Sequence, residues 1–274
     1  MIQLIVDKPQ MLKTFTENNC AQASFVWTYL LKNKEIKVNG KKIGGDVPLE
    51  IGDVVCYYLT PKQQERTAFY VVYRDDNVVV IDKESGVNAE AVFAELLRED
   101  ANCRFIHRLD RNTKGLMIFA RNDLAEKELL SAFKEKRAEK VYHALCFHIP
   151  AKDQAVLTAY LKKDEKQSLV RIYDAPVAGS EKIVTQYAVL QSQADISKLE
   201  IVLHTGKTHQ IRAHFAHIGC PIVGDMKYGE NAANKAQKRA RQCLVAKRLS
   251  FDFKGVLRYL NEQTFISRFD VDFE

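Results

Sequence analysis

The sequence predicts an α+β protein in which a small basic unit precedes a larger body of mostly antiparallel strands with helices inserted. Three observations predict it. Several stretches alternate apolar and polar residues at strand period, as in IVTQYAVL (183–190) and LEIVLH (199–204). Others repeat at helical spacing, as at Ala125, Leu129, Ala132 and Phe133. The two kinds are mixed along the chain, with no internal repeat, and turn signals join neighbouring strands.

Taken in order, residues 1–60 read as the small unit. A short apolar helix ends at Leu30-Leu31-Lys32. Ile36 and Val38 then alternate with polar residues, and Asn39-Gly40 is a strong hairpin turn. Gly52-Asp53 makes a second turn before the strand VVCYYL. Lys32, Lys34, Lys37, Lys41 and Lys42 face only Glu35 over this stretch, so the unit is basic. PKQQERT (61–67) is polar and apolar-poor, and reads as a linker. The predicted domains are therefore 1–62 and 68–274.

Beyond the linker, FYVVY and VVVIDK flank Asp75-Asp76-Asn77 as a hairpin. Residues 88–99 are an amphipathic helix with Val92, Leu96 and Leu97 on one side, and LMIFA (116–120) is a buried strand. Asn122-Asp123 caps the helix that carries Ala125. KVYHALCFHI (140–149) alternates as a strand. Thr208 is placed to cap a helix running through Ile218, with Ile211, Phe215 and Ile218 as its apolar stripe. Residues 231–250 carry six basic side chains and no acid, and read as helical at least in part.

Composition limits the function. A chain of 274 residues with 46% apolar content holds one or two cored domains. No run of about 18 apolar residues exists, which excludes a membrane helix. The N-terminus lacks a basic-then-apolar secretion pattern. Net charge is +6 with a pI near 8.9, tilting the partner toward a polyanion. Cys20, Cys56, Cys103, Cys146, Cys220 and Cys243 are too scattered for a zinc ribbon or a redox pair. They read as reduced, mostly buried thiols of a cytoplasmic protein.

Three segments could carry chemistry. In HRLDRNTKGLMIFA (107–120), Asp110 sits between Arg108 and Arg111. Neighbouring positive charge favours a carboxylate's ionised form, which can act as a nucleophile or steady an oxocarbenium-like sugar. An ordinary surface ion pair is the alternative. HTGKTHQIRAHFAHIGCPIVGDMKYG (204–229) is a strand end, a Thr-Gly turn and a helix start, suited to an anion, with Lys207 and Arg212 adding charge. His209, His214 and His217 spread over a wide arc with no Cys, Asp or Glu beside them, so no metal site is expected. Tyr142 in KVYHAL faces the same side as the small Ala144 and Cys146, leaving room for a flat ring; a packed core tyrosine is the alternative.

Together these segments resemble a family. HRLDRNTKG is similar to the HRLDxxTSG signature of the RluA-type pseudouridine synthases, which isomerise uridine in ribosomal and transfer RNA. KVYHAL resembles their K-x-Y-x-A strand. TGKTHQIRAHFAHIGCPIVGDMKYG resembles their TGRTHQIRxHxAxxGxPIxGDxxYG segment. The likeness runs from about residue 69 to about residue 251. SFVWTYLLKNKEIKVNG and the closing GDVV resemble the αL RNA-binding domain of ribosomal small-subunit protein four.

The resemblance implies a pseudouridine-synthase fold, a mixed and mostly antiparallel sheet with a cleft across it. It implies that Asp110 is the catalytic aspartate and that Arg212 pairs with it. It implies that Arg108 enters the space left by a flipped base, and that Tyr142 stacks on the target uracil and takes part in proton removal. His107, Lys114, Lys207, Thr208 and His209 are then RNA contacts in the catalytic body, with Lys32, Lys37 and Lys41 in the small unit. The partner is RNA, no metal or organic cofactor is needed, and the protein is expected to be a monomer.

The chain departs from the pattern in places. Lys114 replaces the usual Ser, TGK replaces TGR, Lys83-Glu84-Ser85-Gly86 replaces K-P-x-G, and LVAKRLSFDF lacks the usual His-Ala and His-Pro pairs. Two other readings exist. One is a catalytically silent RNA-binding or ribosome-assembly protein on the same fold. The other is a retaining glycosidase, which needs a second carboxylate about 5 Å away; Asp225 is the one apparent partner.

Overall fold

The computed structural model describes residues 1–164, 167, 169–239 and 241–273. Strand β1 (Ile2–Ile5) leads to the two-residue β2 (Gln10–Met11) and three short helices, α1 (Leu12–Asn19), α2 (Ala21–Phe25) and α3 (Trp27–Lys32). Then come β3 (Ile36–Val38), β4 (Lys41–Ile43), β5 (Pro48–Leu49) and β6 (Val54–Tyr57). Asn39 and Gly40 both take left-handed φ, 49° and 80°, as the tight hairpin between β3 and β4 requires. The antiparallel sheet β1-β6-β3-β4 buries Ile36, Val55 and Tyr57 against Leu12, Phe15 and Leu30.

The expected linker is partly ordered. Pro61–Gln64 forms a helical turn, α4, closed by a capping box between Thr60 and Gln63, with Pro61 in the first turn. Its polarity is that of an exposed, well-capped turn, which composition alone does not distinguish from a linker.

The larger body begins with β7 (Phe69–Arg74), β8 (Val78–Lys83), α5 (Ala89–Glu99) and β9 (Arg104–Phe105). It continues through β10 (Lys114–Ala120), α6 (Asp123–Lys134), β11 (Ala138–Phe147), β12 (Gln154–Asp164) and β13 (Leu169–Tyr173). Next are β14 (Glu181–Gln193), β15 (Ile196–Leu203), α7 (Gln210–His217), α8 (Asn231–Ala236), β16 (Leu244–Phe251) and β17 (Phe265–Ile266). The main sheet runs β13-β12-β14-β15-β11-β16-β10-β8-β7, with β9 on β10 and β17 on β16. Among the described residues, every pairing of this sheet is antiparallel except β10 with β16.

That parallel contact is unusually close. A Cβ on Gly115 would stand 2.3 Å from the carbonyl oxygen of Ala246, and its φ is 113°, so only glycine fits. The Asn122 side chain accepts from the Ala125 N–H at 2.9 Å and starts α6 as expected. In α5, Val92 and Leu96 are buried, whereas Leu97 stays 36% exposed.

The basic run 231–250 divides. Its first part forms α8, but 244–251 is the central strand β16; Ala240, in the same run, lies outside the described residues. Lys247 and Arg248 disguise the strand, because both charges are met internally. Lys247 Nζ donates to the carbonyls of Ser267 and Phe269 at 2.9 and 2.7 Å, and Arg248 pairs with Glu200 at 3.2 Å.

The small unit packs on α5 and on the loop before β10. Glu17 of α1 forms an ion pair with Arg111. Asn88 Nδ2 donates to Asn18 Oδ1 at 3.0 Å, and Arg98 Nη2 donates to the Asn19 carbonyl at 2.5 Å.

Burial also makes the fold acid-sensitive. His214, only 2% exposed, bonds Thr185 Oγ1 through Nδ1 at 3.0 Å. Burial, with His217 adding, pushes its pKa down from 6.5 to about 4. Between those values the unfolded chain holds the extra proton, so stability rises with pH through that window and is lost on acidification. Each unit of separation corresponds to about 1.4 kcal/mol. We expect the unfolding midpoint to fall as pH drops from 6.5 towards 4, and His214→Asn to flatten that slope in a thermal series. An unchanged slope in the variant would contradict this assignment.

Candidate active site

Asp110 lies on the loop that carries the chain from β9 into β10. The loop is held from beneath by Lys83 at the end of β8, which is wholly buried. Its Nζ donates to the carbonyls of Glu84, Val87 and Arg111 at 2.9, 2.9 and 3.1 Å. Burial lowers the Lys83 pKa to about 7, with Asp110 and Glu84 pulling the other way. The sequence shows Lys83 only as part of the Lys83-Glu84-Ser85-Gly86 departure; its placement under the Asp110 loop is visible only in three dimensions.

Beside Asp110 opens a cavity of about 500 Å³, lined by Tyr142, Leu203, Ile211 and Leu244 together with Lys140 and Lys207. Arg212, from α7, reaches Asp110 with Nη1 at 2.7 Å. Its other edge grips Asp225, Nε at 2.6 Å and Nη2 at 3.0 Å. Asp225 has no side-chain exposure and also accepts the N–H groups of Lys227 and Tyr228 at 2.8 and 3.1 Å. Burial opposes the charge on both groups, but their mutual contact outweighs it: the Asp225 pKa falls and the Arg212 pKa rises. Arg212 is thus a fixed cation that presents one free edge to Asp110.

Asp225 is therefore no second free carboxylate. Both its oxygens are occupied and it is closed to solvent, so the glycosidase arrangement is absent. Its GDxxYG position was visible in the sequence; its role as the anchor of Arg212 was not.

Tyr142 is 8% exposed and shares its buried face with Ala144 and Cys146, as the alternation predicts. Burial, reinforced by the charge of Asp110, raises its pKa and keeps the phenol protonated. Arg108 is 62% exposed, with one partner, Glu90, at 2.9 Å. His107 lines the cavity, stacks on Phe133 with ring centroids 4.7 Å apart, and accepts the Ile118 N–H through Nε2 at 3.1 Å. Burial pushes its pKa down to about 3, leaving a neutral ring.

Thr208 does not cap α7. His209 takes that position with a left-handed φ of 54°, and no side-chain cap bond is made there. Gln210 turns its side chain back instead, its Oε1 accepting the Lys207 N–H at 3.2 Å. Thr208 and Lys207 lie on the cavity wall, and Lys207 pairs with Glu181. His209 bonds the Tyr228 hydroxyl at 2.8 Å and stands 3.9 Å from Asp110; burial lowers its pKa despite that neighbour. His214 and His217 turn elsewhere, to Thr185 and Asp174. Lys114 points away from the cavity, 3.2 Å from Glu84 and 4.2 Å above the Phe269 ring. Lys32, Lys37 and Lys41 do not line the cavity; Lys32 and Lys41 are exposed, and Lys37 lies 4.9 Å over Tyr58.

A carboxylate held by an arginine, beside a pocket lined by a tyrosine and by lysines, suits an enzyme acting on a nucleoside of a polyanion. The comparisons with known proteins agree. A family model described as RNA pseudouridylate synthase matches residues 69–217. Ribosomal large subunit pseudouridine synthase C of Rickettsia conorii is 31% identical over 228 residues, covering 73% of this chain and 75% of that one. Ribosomal large subunit pseudouridine synthase D of Buchnera aphidicola is 26% identical over 260 residues, covering 84% and 80%. The structure of human RNA pseudouridylate synthase domain containing 1 superposes with a TM-score of 0.60 at 26% identity, covering 68% of this chain and 79% of that one.

This chain belongs to the RNA pseudouridylate synthase family. The family read from the three motifs is the family matched, and the fold is the expected one. The match begins at residue 69 and leaves the small unit outside it.

Proposed function

We propose that this protein converts uridine to pseudouridine in ribosomal RNA, with Asp110 as the catalytic carboxylate. The observation that carries the proposal is the Asp225–Arg212–Asp110 line at the mouth of the cavity. Isomerisation breaks the bond from C1′ to N1, turns the detached uracil, and joins C1′ to C5. The hydrogen on C5 leaves and N1 gains one. A carboxylate serves at the sugar, as nucleophile on C1′ or as base on a sugar proton. Arg212 keeps that carboxylate aimed and is not itself consumed.

The remaining site residues follow from their surroundings. Burial and Asp110 both disfavour the Tyr142 phenolate, which supports stacking on the uracil over proton removal. Arg108 is exposed and singly tethered, which suits a side chain that enters the gap left by a flipped base. Lys207, Thr208, His209 and His107 lie at or on the cavity wall, as a nucleotide contact needs. Residues 1–62 form an RNA-binding module through Lys32, Lys37 and Lys41, with residues 68–274 as the catalytic domain. No described helix is long and apolar enough to cross a membrane, and the protein works as a cytoplasmic monomer without metal or cofactor. The ribosomal target comes from the names of the relatives.

Tritium release from RNA labelled at uracil C5 tests the reading. The purified chain, given ribosomal and transfer RNA separately, is expected to expel tritium from ribosomal RNA. Release from transfer RNA alone would overturn the target. Release from neither, with binding retained, would return the chain to a silent RNA-binding role.

A further inference from the structure

A second cleft, of about 440 Å³, lies at the same end of the sheet as the catalytic cavity. Leu244 lines the cavity, whereas Cys243 and Val245, its neighbours in sequence, line the cleft. Successive strand residues point to opposite faces, so the two hollows sit back to back across β16. They are joined through one bond. Gln242, in the cleft, donates its Nε2 hydrogen to Thr113 Oγ1 in the cavity wall at 2.9 Å.

Four cations line the cleft: Lys114, Lys238, Arg239 and Arg241. Among the described residues, no carboxylate lies within ion-pair distance of Lys238 or Arg241, and both are exposed. The two acids of the cleft are already answered from elsewhere. Asp270 is met by His143 at 2.8 Å and Lys198 at 3.4 Å, and Asp272 by Lys198 at 3.4 Å. Positive charge is left facing outward. Gln242, also in the cleft lining, is 6% exposed, and among the described residues its buried Oε1 has no donor. Lys114, the departure from the family signature, belongs to this cleft and not to the catalytic cavity.

We propose that this cleft binds the sugar–phosphate backbone of the RNA beside the target nucleotide. Lys238 and Arg241 take phosphate and Gln242 Oε1 takes a ribose hydroxyl. The proposal rests on the reading of the chain as an RNA enzyme and adds a second point of grip to it. Cations alone suit any polyanion. The buried acceptor selects one that carries a donor beside each phosphate, and the ribose 2′-hydroxyl does this at every nucleotide. A strand threaded past the Thr113–Gln242 wall touches both hollows, so the cleft fixes which nucleotide stands over Asp110.

The test is a salt titration of binding, using the full chain and a labelled single-stranded RNA of about 30 nucleotides. The K238E/R241E variant is expected to weaken binding about tenfold and to reduce the slope of log affinity against log salt by about 1.5, two phosphate contacts. Lys254→Glu, past the other end of β16, should change neither as much. The unfolding midpoint should be the same in variant and wild type, because both side chains are exposed. Gln242→Met should weaken RNA but not the 2′-deoxy probe. A slope and affinity like those of wild type, or a loss matched by Lys254→Glu, would overturn the phosphate site. Equal effects of Gln242→Met on the two probes would overturn the ribose contact. A wild-type chain that shows this charge dependence yet releases no tritium would sink the isomerase reading and leave the cleft standing.

Discussion

Asp110→Asn lowers tritium release by ~10⁴-fold or more, the scale of losing a group that makes a bond, while RNA affinity stays within about twofold because no phosphate contact is removed. The structure explains why this variant is clean. Asp110 holds only one edge of Arg212; Asp225 holds the other and keeps the guanidinium in place. The amide therefore sits against an arginine that has not moved. An unfolding curve alongside the assay separates chemistry from stability, and a midpoint near that of wild type is expected. Residual activity within tenfold of wild type would remove Asp110 from the centre of the reaction.

Arg212→Leu is expected to damage both folding and activity. It leaves the Asp225 charge buried with two backbone N–H groups and no cation. Breaking such a pair costs about 3–5 kcal/mol, a fall of roughly 6–20 °C in the unfolding midpoint for a chain of this class. The double variant R212L/D225L separates the two roles. Replacing both partners by apolar groups recovers most of the stability, since neither charge is then stranded. Activity should not return, because Asp110 still lacks its arginine. Recovery of both would mean that Arg212 serves only the fold.

Much of this site was legible in the chain because its motifs are local. Asp110, Arg212 and Tyr142 each stand in a segment whose turn chemistry or strand alternation fixes their direction, and the structure places them on one cavity. What was illegible depends on long-range pairing. Asp225 reads from sequence as the one candidate second carboxylate of a glycosidase; the structure joins it instead to Arg212 of α7, 13 positions away. Lys83 looked like an ordinary strand end, because nothing local says that its ammonium is buried under the loop. Strand β16 was hidden by Lys247 and Arg248, whose charges are neutralised only by the distant Asp270 and Glu200. In β12, the alternation is blurred by Val156, left 61% exposed. The Thr208 cap failed because His209 adopts a left-handed backbone that no pattern of apolar residues announces.

The contact between Glu17 and Arg111 changes how a common experiment must be interpreted. Arg111 is the next residue after Asp110, and its carbonyl rests on Lys83. Removing the first sixty residues deletes more than a lysine-rich surface; it strips the carboxylate of Glu17 from the arginine next to Asp110. A truncated enzyme with low turnover would thus be ambiguous between lost grip on RNA and a slackened loop. On the proposed reading, charge reversal at Lys32, Lys37 and Lys41 is expected to weaken grip alone, and Glu17→Gln to slacken the loop alone. Substrate concentration rescues the first and not the second. On the proposed reading the two units are coupled parts of one catalyst, the small unit both gripping RNA and steadying the loop beside Asp110 through Glu17.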